Sequence, residues 1–219
     1  MRPYAAPMSA WPLFDVVLTC GAVTLHPVGD DEVLAMAELL PDDYEEDPAA
    51  EHLDGLDARA DRRRLYCQSL WRHRGTWSPT SWCWDFTVLL DGRMVGMQSL
   101  EADDFPGLRT VDSSSWLIPP VRGRGLGVAM RTAVLGLAFD HLGALTAVSS
   151  ARADNAASLG VSRSIGYRDN GISEVRQPSS PTGRCTLQHV RLAREDWLAG
   201  GLGARVTVDG LTGCAAWFG

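Results

Sequence analysis

One stretch constrains this chain more than any other: Val121-Arg122-Gly123-Arg124-Gly125-Leu126-Gly127-Val128. An apolar run, Trp116-Leu117-Ile118, closed by Pro119-Pro120, precedes it. An apolar-periodic segment over residues 129–142 follows and stops at Gly143. The order reads as strand, glycine-rich turn, helix. Glycines let a backbone approach a ligand closely and aim several N–H groups into one small volume. The helix behind them adds free N–H groups and the positive end of its dipole. A turn of this construction suits phosphate groups. A glycine-rich surface turn without a ligand is the other reading of the same residues.

The spacing separates three phosphate-binding patterns. A Walker loop needs Gly-Lys-Ser/Thr at its end, which is absent. A G-x-G-x-x-G fingerprint fails, because the third position is Val128 counted from Gly123 and Met130 counted from Gly125. The pattern met is Arg/Gln-x-x-Gly-x-Gly/Ala, at Arg122, Gly125 and Gly127. It resembles the pyrophosphate-binding motif of the GNAT superfamily of acyl-CoA-dependent N-acyltransferases. Downstream, Asn155-Ala156-Ala157-Ser158 followed by Ile165-Gly166-Tyr167 resembles the Asn-x-x-Ser…Leu-Gly-Phe signature of its branch with Rim-type ribosomal-protein N-terminal acetyltransferases. Trp116-Leu117 is similar to that branch's Tyr-Trp-Leu strand. The resemblance covers roughly residues 85 to 197.

The resemblance implies an α+β fold: a central mixed, mostly antiparallel sheet, splayed at the acyl-CoA site and flanked by helices. Read in order, the chain divides into an irregular lead-in (1–15), an acyltransferase domain (16–199) and a C-terminal strand and tail packed on the domain (200–219). The composition agrees with one domain, since 219 residues at 45% hydrophobic content can bury a real core. A net charge of -7 disfavours sequence-independent nucleic-acid binding, which runs on basic patches. It suits a cationic partner such as an amine, or serves solubility alone. The five cysteines form no C-x-x-C pair and are odd in number. Neither a disulfide framework nor a zinc site is expected; reduced thiols in a cytoplasmic protein fit, and no metal is called for. No signal peptide or membrane span is read.

Along the chain, residues 16–27 read as a first strand and 32–40 as a helix capped by Asp30 and Asp31. Residues 41–57 carry Asp42, Asp43, Glu45, Glu46, Asp47, Glu51, Asp54 and Asp57. This is a solvated loop or an attractor for an amine-bearing substrate. Residues 58–74 read as an Arg-rich helix, and Trp71, Trp77, Trp82 and Trp84 fill core or wall an acceptor pocket. Residues 86–90 and 94–100 form a hairpin about Asp91-Gly92. A strand over 109–118 leads into the glycine turn. The next helix carries Met130, Val134, Leu137 and Ala138 on one stripe, with Arg131 and Asp140 elsewhere. Residues 144–150 read as a strand parallel to that at Trp116, 155–165 as a helix stopped by Gly166, and 184–192 and 205–211 as late strands.

The same resemblance assigns the chemistry. Backbone amides from Arg122 through Gly123, Arg124, Gly125, Leu126 and Gly127 to Val128 grip the pyrophosphate of acetyl-CoA. The strand edges at Trp116-Leu117-Ile118 and Ala147-Val148-Ser149 part to admit the pantetheine arm. A backbone N–H near Leu117 polarises the thioester carbonyl. Asn155 bonds the arm, caps its helix, or both. Ser158 either donates to the leaving thiolate or sits on an exposed face. The base that takes the ammonium proton is Asp112, on the same strand face as Trp116 by period-two counting, or Glu101; a plain surface carboxylate is an equal reading of Asp112. Arg163 stands where other branches carry a tyrosine acid, and Tyr167 reads as packing. The expected activity is acetyl transfer from acetyl-CoA to a primary amine, a protein N-terminus or a small molecule. A non-catalytic acyl-CoA sensor and transfer of a larger acyl group such as succinyl are the alternatives, and a homodimer is possible.

Overall fold

The computed structural model describes residues 10–47, 50–177 and 182–219. Pro3 and Pro7 of the expected lead-in lie outside them. Its end, Pro12–Asp15, is a 3-10 turn with Leu13 fully buried.

In chain order the elements are β1 (Val17–Cys20), β2 (Val23–Pro27), α1 (Val33–Leu39), α2 (Ala58–Gly75), β3 (Trp82–Leu90), β4 (Arg93–Ala102), the single turn α3 (Phe105–Leu108), β5 (Thr110–Val111), β6 (Ser115–Leu117), α4 (Leu126–Gly136), β7 (Thr146–Arg152), α5 (Ala156–Ile165), β8 (Arg168–Arg176), β9 (Arg184–Ala193), α6 (Arg194–Gly200) and β10 (Val206–Asp209). A six-stranded antiparallel sheet has the order β10-β1-β2-β3-β4-β6. A four-stranded sheet has the order β5-β7-β9-β8, with β5 and β7 parallel.

Several expectations need correction. The first strand is a hairpin: β1 and β2 meet across the two-residue loop Gly21-Ala22, with Gly21 at φ 60, the glycine-first chemistry of a tight hairpin turn. Neither Asp30 nor Asp31 caps α1; its N-cap is Glu32, whose carboxylate reaches back to the Gly29 N–H at 2.9 Å. The strand over 109–118 is broken into β5 and β6, which belong to different sheets. Consequently β7 runs parallel to β5 and is not paired with Trp116. β8 was not expected from the sequence. It is a polar edge strand, almost wholly exposed, so it carries no apolar alternation.

The main core lies on one face of the sheet under α4, with Phe86, Leu100, Val134, Leu137 and Phe139 fully buried. A smaller cluster on the other face joins α1 and α2 to the sheet through Val33, Met36, Tyr66, Leu70, Met97 and Trp116. Trp77, Trp82 and Trp84 pack with Phe218 as an aromatic cluster of the core, and Trp82 also lines a cavity beside β4. Trp71 is half exposed and lines a surface groove with Leu34 of α1. The C-terminal tail is fastened to that cluster: Phe218 is buried, and Trp77 Nε1 donates to the Trp217 carbonyl at 3.2 Å. All five cysteines are free thiols. No described helix is long and apolar enough to cross a membrane.

Candidate active site

The turn before α4 is set by its glycines. Gly123 and Gly125 sit at φ 73 and 79, a region closed to most side chains. Gly127 is already helical; a Cβ there would come 3.0 Å from Val161 Cγ2, so glycine lets α4 and α5 pack closely. The Arg122 N–H is used within the turn, donating to the Pro119 carbonyl at 3.2 Å. The first amide bonded within the helix is Ala129, to the Gly125 carbonyl. Among the described residues, the N–H groups of residues 123–128 have no backbone acceptor. The cluster of free amides therefore starts at Gly123, one residue later than expected. The Arg122 side chain is also committed. Its Nε donates to the Leu117 carbonyl at 2.8 Å, and its other two nitrogens bind Asp43 at 2.6 and 2.8 Å. That guanidinium holds the Asp43 carboxyl below its ordinary range.

Beside the turn lies an open strand edge. Ser99 N–H donates to the Ser114 carbonyl and Ile118 N–H to the Val95 carbonyl. In an antiparallel ladder such bonds alternate, so the N–H groups of Ser115 and Leu117 face away from β4. β6 has no strand on that side. β7 pairs with β5 only at Thr146 and Ala147. Past Ala147 the two edges part, where the resemblance places the acyl-CoA arm. The break between β5 and β6 is what parts them: one half of the segment is bonded to β7, the other to β4.

Asp112 falls in that break and forms an isolated antiparallel bridge with Glu101. This pairing continues the register of Met97 with Trp116, so Asp112 shares a face with Trp116, as counting by twos gives. Both carboxylates line a cavity of about 320 Å³, together with Trp82, Leu108, Val111 and Val148. Burial pushes the Asp112 carboxyl up to about 6; the Ser113 N–H opposes this, Glu101 adds to it, and Arg131 opposes it. Arg131 was expected away from the buried stripe, yet it is buried at 4% exposure and donates to Ser162 Oγ at 2.8 Å. Ser162 Oγ in turn donates to the Ser158 carbonyl. A buried polar chain thus joins α4 to the first turn of α5. There Asn155 accepts the Ser158 N–H at 3.0 Å and caps the helix. Gly166 ends it at φ 107. Tyr167 is buried, and burial drives its hydroxyl well above the usual range, as for a packing residue.

The sequence matches the family described as "Acetyltransferase (GNAT) domain" over residues 23–168, two thirds of its length. The chain belongs to the GNAT acetyltransferase family. Solved structures share the GNAT fold. Mycobacterium smegmatis RimJ, in complex with CoA-disulfide, is 19% identical at a TM-score of 0.65, covering 89% of this chain and 97% of that one. A putative ribosomal-protein-serine acetyltransferase from Vibrio cholerae is 13% identical at 0.59, covering 81% and 97%. A spermidine N-acetyltransferase SpeG chimera from Vibrio cholerae and hSSAT is also 13% identical at 0.59, covering 81% and 99%.

In this GNAT domain the acidic segment between α1 and α2 is tied down. Besides Asp43 on Arg122, Glu46 binds Arg62 at 3.0 Å and Glu45 lies 3.7 Å from Arg152. Tyr44 packs edge-on against Tyr66, whose hydroxyl accepts from Trp116 Nε1 at 3.2 Å. The segment thereby reaches from α2 to the glycine turn and the end of β7. One cluster escaped sequence reading altogether: His73 on α2 meets Cys83 and Asp85 on β3. Helix-to-strand packing joins them across ten residues, so no short metal- or redox-type spacing announces them.

Proposed function

We propose that this GNAT domain transfers an acetyl group from acetyl-CoA to a primary amine, by direct attack within a ternary complex. The observation that carries the proposal is the run of unpartnered amides at residues 123–128, standing beside the open edge of β6. These amides and the dipole of α4 suit a diphosphate. The outward N–H of Leu117 suits the thioester oxygen, on which negative charge grows during attack. Acetyl-CoA supplies the activated acyl group. Asn155 keeps its amide nitrogen for the pantetheine arm while its oxygen caps α5, and Ser158, Trp116 and Ile118 flank the same arm.

The acceptor occupies the cavity beside Glu101 and Asp112. A bound ammonium loses its proton to Asp112, directly or through a water; a base with a pKa near 6 is largely ionised at neutral pH and ready to accept it. Glu101 keeps the region negative and favours a cationic acceptor. The motif resemblance to the Rim-type branch supports a protein N-terminus as acceptor, with a small amine as the other candidate. The protein acts in the cytoplasm on this reading.

The test is free-thiol release from acetyl-CoA and from succinyl-CoA against a panel of peptide N-termini and polyamines. Release with acetyl-CoA that depends on an amine is the expected result. Binding of acetyl-CoA with no amine-dependent release would make the protein a sensor, and faster release from succinyl-CoA would reassign the donor.

A further inference from the structure

His73, Cys83 and Asp85 lie on the α2 side of the sheet. Cys83 and Asp85 are two residues apart on β3 and so share a face. His73, in the last turn of α2, reaches down to them: its Nδ1 is 2.8 Å from Asp85 Oδ2. Cys83 Sγ donates to the other carboxylate oxygen, Oδ1, at 3.8 Å. One donor atom from each residue falls within 4.8 Å of the other two. Asp85 is buried, and His73 and Cys83 are half-buried. A cavity of about 20 Å³, walled by Leu70, Trp77 and Trp84, borders Cys83 and Asp85.

The charges around this point are unbalanced. Strand register puts Glu101 of β4 directly opposite Cys83. Two carboxylates and a thiol thus converge on a poorly solvated spot, against one imidazole and the nearby charge of Arg72. Arg74 also borders the cavity, but its guanidinium is spent on Asp30 and the Val28 carbonyl. Burial first, then Asp85 and Glu101, hold the Cys83 thiol far above its usual range. Burial resists protonation of His73, but Asp85 outweighs it and keeps the ring above its ordinary value.

We propose that His73, Cys83 and Asp85 form a binding site for a divalent cation of the zinc class, clamping the end of α2 to β3. Imidazole nitrogen, thiolate and carboxylate together suit zinc, whereas hard cations such as magnesium and calcium take oxygen ligands. Metal–ligand bonds of about 2.0–2.3 Å require ligand atoms on the order of 3.5 Å apart, so the cluster closes with shifts of about an ångström. Glu101 stays outside the ligand set and favours the cation by its charge. On binding, the Cys83 S–H bond breaks, its electron pair goes to the metal and its proton to solvent. His73 sheds its ring proton where it carries one, and no electron is transferred. The clamp bears on the catalytic half through α2, which holds Tyr66 against Trp116.

The full chain, stripped with a chelator, is titrated with Zn²⁺ by calorimetry and with Co²⁺ by absorption. One equivalent should bind and release protons to the buffer, the cobalt form should show a near-ultraviolet thiolate-to-metal band, and Zn²⁺ should raise the melting temperature. Cys83→Ser should abolish the band, and His73→Gln should weaken Zn²⁺ binding at least tenfold. Cys67→Ser and Cys185→Ser should change neither. No binding, or binding equally tight in Cys83→Ser and His73→Gln, overturns the proposal. Should Cys83→Ser fail to fold, the wild-type cobalt band and the His73→Gln titration decide.

Discussion

The turn at residues 121–128 and the cavity at Glu101 and Asp112 are built by opposite means. The turn works with main-chain groups; side chains enter mainly by their absence, at Gly123, Gly125 and Gly127. The cavity works with side chains that strand pairing brings together from β4, β7 and the β5–β6 break. A main-chain site needs consecutive residues in fixed conformations, so it leaves a contiguous trace in sequence. A side-chain site needs only spatial convergence, so its members scatter. The difference also predicts how each fails: the turn through backbone strain, the cavity through charge.

The largest effect should come from the cavity. Asp112→Asn should lower turnover roughly 10²–10⁴-fold, the usual reach of a general base, with little change in acetyl-CoA affinity. In the wild type, kcat/KM should rise as pH passes about 6, where Asp112 ionises, and the substitution should remove that limb. Glu101→Gln sharpens the comparison. Because Glu101 raises Asp112, its loss should slide the limb to lower pH and leave it present. If Glu101→Gln erased the limb and Asp112→Asn did not, the two roles would be exchanged.

The turn should give the next effect. Gly125→Val forces a β-branched residue to φ near 79, costing at least about 1–2 kcal/mol, and crowds the approach to the amides. Acetyl-CoA affinity, read by calorimetry, should fall about tenfold or more, while the pH limb stays in place. Normal affinity would mean that the turn does not hold the coenzyme. A smaller effect is expected of Ser158→Ala: turnover down by several-fold with acetyl-CoA binding intact, read by comparing kcat with the calorimetric Kd. Equal turnover would remove Ser158 from the mechanism.

The remaining effect is on stability. The Asp112 carboxyl is held up to about 6 in the folded protein, so the folded state keeps this proton where the unfolded state has lost it. Ionising it costs stability as pH rises from about 4 to 6, and the whole cost is present above that window. Asp112→Asn should therefore stabilise the protein at pH 7–8 by roughly 2–3 kcal/mol, and the gain should vanish near pH 4. Chemical denaturation at the two pH values checks this, and a variant less stable at pH 8 would contradict the buried-carboxylate account.

The fold was legible wherever local chemistry and tertiary need coincide. Asp91-Gly92 announced the β3–β4 hairpin, and both residues take positive φ. Gly166 announced the end of α5, and Asn155 its cap. Legibility failed where pairing overrode local pattern. Residues 109–118 read as one strand, but its halves belong to different sheets. β8 offers no alternation to betray it: its apolar residues, Ile172 and Val175, stand three apart, and the strand is almost wholly exposed.

By itself, then, the sequence determined the glycine turn, the helix behind it and the two motifs that mark the family. Each rests on residues adjacent in the chain, whose dihedral preferences act before any tertiary contact forms. Only the tertiary structure decided where β5 parts from β6, why Asp112 is hard to ionise, how Arg131 is buried beneath α5 and why His73 stands over Cys83 and Asp85. Those outcomes depend on burial and on charges at close range, which distant segments supply only after they have packed.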